Sequence, residues 1–120
     1  MPNYFLTSAA RADLVSIRRY TIDRWGISQA RKYLTSIKDK MEFICSNPLL
    51  GTPRPEVDKE TLSFPCNSHI IYYKCLVAEI YIIAVLHKSS VPSHHLHDRS
   101  VPTPGSLGEY SRPYSQAVVE

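Results

Sequence analysis

The sequence predicts an α+β domain: an antiparallel sheet packed against an N-terminal helical hairpin, in the order β-α-α-β-β-β. Three observations lead there. Two consecutive stretches repeat apolar residues at helical spacing and are parted by a glycine. Three β-rich segments follow with short links. The last of these, Glu79-Ile80-Tyr81-Ile82-Ile83-Ala84-Val85-Leu86-His87, is the densest apolar run in the 120 residues. β-Branched residues dominate it and its length suits a strand. Between Glu79 and His87 it carries neither charge nor proline, so it reads as a central strand covered on both faces. Strict alternation sends Ile80, Ile82, Ala84 and Leu86 one way, and Tyr81, Ile83, Val85 and His87 the other.

The other elements follow in chain order. Tyr4-Phe5-Leu6 is a short apolar strand. Thr7-Ser8 offers a helix N-cap, and a helix is expected from Ala9 to Arg24 with Ala10, Leu14, Ile17 and Trp25 on its apolar side. Gly26 fits the position after a helix end, where positive φ suits glycine. Ser28 then caps a second helix from Gln29 to about Cys45, whose apolar side is Ala30, Tyr33 or Leu34, Ile37, Met41 and Ile44. So short a connection implies an antiparallel hairpin. Asn47-Pro48 ends the second helix. Residues 49 to 60 hold Gly51, Pro53 and Pro55 and read as a loop. Leu62-Ser63-Phe64 is a strand stopped by Pro65. His69 to Cys75 is a strand, and Leu76-Val77-Ala78 turns into the central one. These last three form an antiparallel meander.

Composition sets bounds. Hydrophobic residues make up 43% of the chain, too many for disorder, and the length fits one domain. Residues 1–98 read as that domain. Residues 99–120, rich in Pro, Ser and Gly, read as a poorly ordered tail. The net charge of +3 permits an acidic partner without requiring one. Cys45, Cys66 and Cys75 have no disulfide or zinc spacing and read as buried free thiols. No apolar run reaches the roughly 18 residues of a membrane span. The N-terminus lacks the regions of a signal peptide, so cytoplasmic residence is expected. No cofactor motif or metal-ligand set is evident: there is no Gly-rich phosphate loop, GxSxG or HExxH.

Several groups invite a functional reading. Arg11, Arg18, Arg19, Arg24, Arg31 and Lys32 form a basic stretch over the hairpin, either a solvated face or a surface for an acidic partner. Tyr20, Trp25 and Tyr33 lie near the hairpin turn, as core or as an apolar strip for a partner helix. His69, Tyr73, Lys74, His87 and Lys88 sit on or beside the last two strands. Acid–base chemistry on RNA would draw on such a set.

Five segments resemble, in order and spacing, the ParE toxins of the RelE/ParE superfamily of type II toxin–antitoxin modules. They are Leu6 to Leu14, Trp25-Gly26-Ile27-Ser28-Gln29-Ala30, Asn47-Pro48-Leu49-Leu50-Gly51-Thr52-Pro53-Arg54, Phe64-Pro65 with His69-Ile70-Ile71-Tyr72-Tyr73, and Val85-Leu86-His87. The resemblance covers roughly residues 3 to 96. It implies a toxin that binds DNA gyrase and stabilises cleaved DNA complexes, without catalytic residues, cofactor or sequence-specific nucleic-acid binding of its own. It also implies a cognate, ParD-like antitoxin that neutralises it. Target contact is then expected from His69, Tyr73, His87 and Lys88, and antitoxin contact from Arg18, Tyr20, Trp25, Arg31 and Tyr33. Two positions depart from the family pattern: Ser68 stands where a basic residue is common, and Lys88-Ser89-Ser90-Val91-Pro92 follows the central strand. The alternatives are a ribosome-dependent ribonuclease of RelE type and an attenuated relative that keeps only antitoxin binding.

Overall fold

A computed structural model describes residues 4–76, 79–96 and 99. The elements are β1 (Tyr4–Leu6), α1 (Ser8–Trp25), α2 (Ile27–Ser46), β2 (Thr52–Pro53), β3 (Leu62–Cys66), β4 (His69–Leu76), β5 (Glu79–His87) and α3 (Pro92–Leu96). A single 3-10 turn, Pro48–Leu50, precedes β2. The strands form one sheet in the order β1-β5-β4-β3-β2. The expected turn at 77–78 and the expected tail, apart from Arg99, lie outside the described residues.

Both helices follow from their caps and spacing. The Thr7 side chain accepts the Ala10 N–H, which fixes the start of α1. Gly26 has φ +89° and serves both helices. Its N–H donates to the Ile22 carbonyl, and its carbonyl accepts the Ala30 N–H. One glycine thus ends α1 and begins α2. Ser28, expected as the second cap, lies inside the first turn of α2 instead.

The hairpin covers one sheet face. Ala10, Leu14 and Ile17 of α1 and Leu34, Ile37, Met41 and Ile44 of α2 pack against Leu6, Ile71, Tyr73, Ile80, Ile82 and Val85. Thr21, not Trp25, is the last buried side chain of α1, and its hydroxyl donates back to the Ile17 carbonyl. Trp25 is 69% exposed, so its expected place on the core side of the helix is corrected. The opposite sheet face carries a smaller cluster of Tyr72, Ile83, Ala84 and Leu86 under Leu96 of α3. The central strand is therefore buried on both faces, as its composition predicts.

Its alternation is not strict. Tyr72 pairs with Ala84, and Tyr73 with Ile82, so Ile83 is an extra residue. This bulge swaps the faces beyond it: Ile80, Ile82 and Val85 meet the helices, while Ile83, Ala84 and Leu86 face away. The bulge also leaves backbone groups outside the ladder, and side chains take them. Asp13 accepts the Val85 N–H at 3.0 Å. The Ile83 carbonyl accepts from Arg99 at 2.9 Å. Arg99 in turn binds both Asp13 oxygens, at 2.8 and 3.2 Å.

Three further expectations change. β1 runs parallel to β5, so the sheet is antiparallel except at that edge. Pro65 does not stop β3, because β2 pairs only with Leu62 and Ser63 and leaves β3 an open edge at Pro65. Cys75 is exposed rather than buried.

Candidate functional site

An open groove of about 750 Å³ runs between α1, the start of α2 and the ends of β4 and β5. Ser16, Ile17, Tyr20, Thr21, Trp25 and Gln29 form one side, and Tyr33, Ser68, His69 and His87 the other. The hairpin turn explains its aromatic character. Tyr20 and Trp25 lie on the last turns of α1, before and after the buried Thr21, and remain 58% and 69% exposed. Arg24 stacks its guanidinium 5.2 Å from the Tyr20 ring centre.

The floor is a polar cluster built on cross-strand pairing. His69 of β4 stands directly opposite His87 of β5. Their rings meet edge to face, with centres 5.6 Å apart. Tyr33 of α2 reaches down, and its oxygen lies 2.7 Å from His69 Nδ1. That same oxygen accepts the Ser68 N–H at 3.2 Å, so its hydrogen is free to go to His69. Burial pushes the His69 pKa down to about 4, with the neighbouring His87 adding to the shift and Asp13 opposing it. His69 is therefore neutral at pH 7. Burial likewise raises the Tyr33 phenol above its ordinary value. The Ser89 N–H donates to His87 Nδ1 at 3.1 Å, and the Ser89 hydroxyl lies 2.7 Å from the same nitrogen.

Five of the nine residues expected to contact target or antitoxin meet in this groove: Tyr20, Trp25, Tyr33, His69 and His87. Sequence reasoning divided them between two partners, while the fold gathers them on one surface. The other four lie elsewhere. Tyr73 is fully buried, and its hydroxyl donates to the Pro48 carbonyl at 2.8 Å and accepts the Gly51 N–H at 3.1 Å. It pins the loop before β2, where a Cβ at Gly51 would collide with the Tyr73 hydroxyl. Arg31 is exposed on the outer side of α2, beside Lys32 and Asp39. Arg18 is half-buried on α1 and Lys88 is exposed just past β5. Lys74, also drawn into the ribonuclease alternative, is buried and ion-paired with Asp58 at 2.9 Å. Asp13 draws no notice as a site residue in the sequence, and Ser68 and Ser89 stand out there only as departures from the family pattern. They act through backbone and carboxylate hydrogen bonds that no local pattern announces.

The arrangement offers aromatic faces, two imidazoles of which that of His69 is neutral, and hydroxyls, a lining suited to covering by a peptide segment. No group of three or more metal-ligating side chains occurs among the described residues.

The family of ParE toxins of the parDE type II toxin–antitoxin system matches residues 4–92. The chain belongs to the ParE toxin family. Relatives agree along nearly their whole length. Toxin ParE1 of Caulobacter vibrioides is 33% identical over 96 residues, which is 80% of this chain and 99% of the relative. Toxin ParE1 of Mycobacterium tuberculosis is 31% identical, over 71% of this chain and 88% of its own. Toxin ParE of Escherichia coli is 27% identical, over 82% of this chain and 97% of its own. A solved structure of the chromosomal ParDE system from P. aeruginosa superposes with a TM-score of 0.61 at 19% identity, over 68% of this chain and 90% of that one. It supports the fold. As a ParE-family toxin of a type II system, the chain has an antitoxin as its partner. No helix among the described residues is long and apolar enough to cross a membrane.

Proposed function

We propose that this ParE toxin inhibits DNA gyrase by binding it and stabilising its cleaved DNA complex. It works in the cytoplasm and without chemistry of its own, and a ParD-like antitoxin silences it by laying an apolar segment into the groove. The observation that carries the groove's role is the convergence of Tyr20, Trp25, Tyr33, His69 and His87 on one surface. Two large exposed aromatics beside a helical hairpin are what an amphipathic segment buries on docking. A neutral His69 with Nδ1 taken by Tyr33 suits a covered floor better than the charged transition state of phosphoryl transfer, which favours binding over the ribonuclease alternative. Lys88 and α3, next to the end of β5, carry the target-facing reading of the post-strand segment.

The test is growth arrest and its rescue. Toxin expression arrests growth, and co-expression of the antitoxin encoded beside it relieves the arrest. Trp25→Ala and Tyr33→Ala toxins still arrest growth but need more antitoxin for rescue. Variants rescued as readily as the parent would move the antitoxin off this groove.

A further inference from the structure

We propose that the His69–His87 pair is a carboxylate-receiving site, which takes an acidic side chain of the antitoxin segment while Tyr20, Trp25 and Tyr33 take an adjoining aromatic or large apolar side chain. The proposal rests on reading the groove as the antitoxin site and adds the chemistry of what that site selects.

The tautomers carry it. The Ser89 N–H donates to His87 Nδ1, so that nitrogen is an acceptor and the ring hydrogen sits on Nε2. At His69, the Tyr33 oxygen already accepts the Ser68 N–H, and its own hydrogen is taken in this proposal as given to Nδ1, 2.7 Å away. In that arrangement this ring also keeps its hydrogen on Nε2. Both histidines line the groove, and with each Nδ1 satisfied the Nε2–H is what each has left to offer. Direct cross-strand pairing holds the two rings 5.6 Å apart between centres. At that spacing one carboxylate seated over the edge-to-face pair takes a hydrogen bond from each ring, one oxygen to each.

The surroundings suit a negative group. No Asp or Glu is among the groove's lining residues. The nearby carboxylate of Asp13 is already bound by the Arg99 guanidinium at 2.8 Å. Arg24 stands over Tyr20. Each hydrogen bond from imidazole to a carboxylate is charge-assisted, and in a partly desolvated groove such bonds discriminate strongly against an amide or an amine.

Three probes that share a phenyl ring separate the carboxylate site from the aromatic groove: phenylacetate, phenylacetamide and phenethylamine. Each is titrated into the full chain at pH 7. Trp25 fluorescence reports the groove, because Trp25 is the sole tryptophan. The Nε2 resonances of His69 and His87 report the pair. The expected result is a Trp25 response to phenylacetate and phenylacetamide, with phenylacetate binding about tenfold tighter and shifting both Nε2 signals. His87→Phe, at an exposed position, brings phenylacetate down to the level of phenylacetamide. Equal affinity for all three probes, with Trp25 responding, would leave the groove standing and overturn the carboxylate site. A silent Trp25 and unmoved imidazole signals with every probe would overturn both.

Discussion

Asp13→Ala tests the joint between the hairpin and the central strand. The Asp13 side chain is 15% exposed and the Arg99 side chain 20%, so the pair is largely removed from water. The substitution removes two contacts to Arg99 and the acceptor for the Val85 N–H. An uncompensated, mostly buried guanidinium costs about 3–5 kcal/mol when its partner is lost. Arg99 keeps the Ile83 carbonyl at 2.9 Å, and residual exposure lets water in, so the lower end applies: about 3 kcal/mol. Arg99→Ala leaves Asp13 its Val85 hydrogen bond and costs less, about 1–2 kcal/mol. The two effects do not add, because Asp13→Ala has already orphaned the group that Arg99→Ala deletes. Urea unfolding of both single variants and the double variant closes the cycle, with m unchanged. The expected coupling is about 1–3 kcal/mol. Two small, additive effects would refute the claim that this pair caps the Ile83 bulge.

Other outcomes are as specific. Leu34→Ala, at a fully buried site under the hairpin, costs about 2–5 kcal/mol in denaturant unfolding; a cost below about 1 kcal/mol would remove Leu34 from the core contact. Tyr73→Phe loses the links to Pro48 and Gly51 and costs about 1–2 kcal/mol, with faster amide exchange in residues 49–52 and no change at Trp25. The His69 imidazole stays neutral down to about pH 4 in an NMR titration, and a midpoint near its ordinary value of 6.5 would contradict its burial. Its folded pKa lies below its unfolded one, so the unfolded chain binds the proton first. Its contribution to stability is therefore complete above pH 6.5, declines as pH falls from 6.5 through 4, and levels off below.

Much of the fold is legible in the residues. Thr7, Gly26 and Pro48 mark helix ends locally, and the spacing of Ala30, Leu34, Ile37, Met41 and Ile44 gives the buried side of α2 directly. What the sequence conceals depends on distant partners. The bulge at Ile83 is invisible in a run of uniformly apolar residues, since either register buries them. Trp25 falls at helical spacing with Ile17, yet it is the last residue of α1 and stays exposed, which periodicity cannot reveal. Arg99 reads as tail because its reason for being there is Asp13, 86 positions earlier. The groove was half legible. Its aromatics and histidines attract notice by type, but only the pairing of β4 with β5 and the reach of Tyr33 join them.

The most direct test of the whole account is a DNA supercoiling assay with purified gyrase and the purified, folded toxin. The account predicts inhibition of supercoiling with accumulation of cleaved DNA, reversed by adding the antitoxin. Undiminished supercoiling with no cleaved product would contradict it.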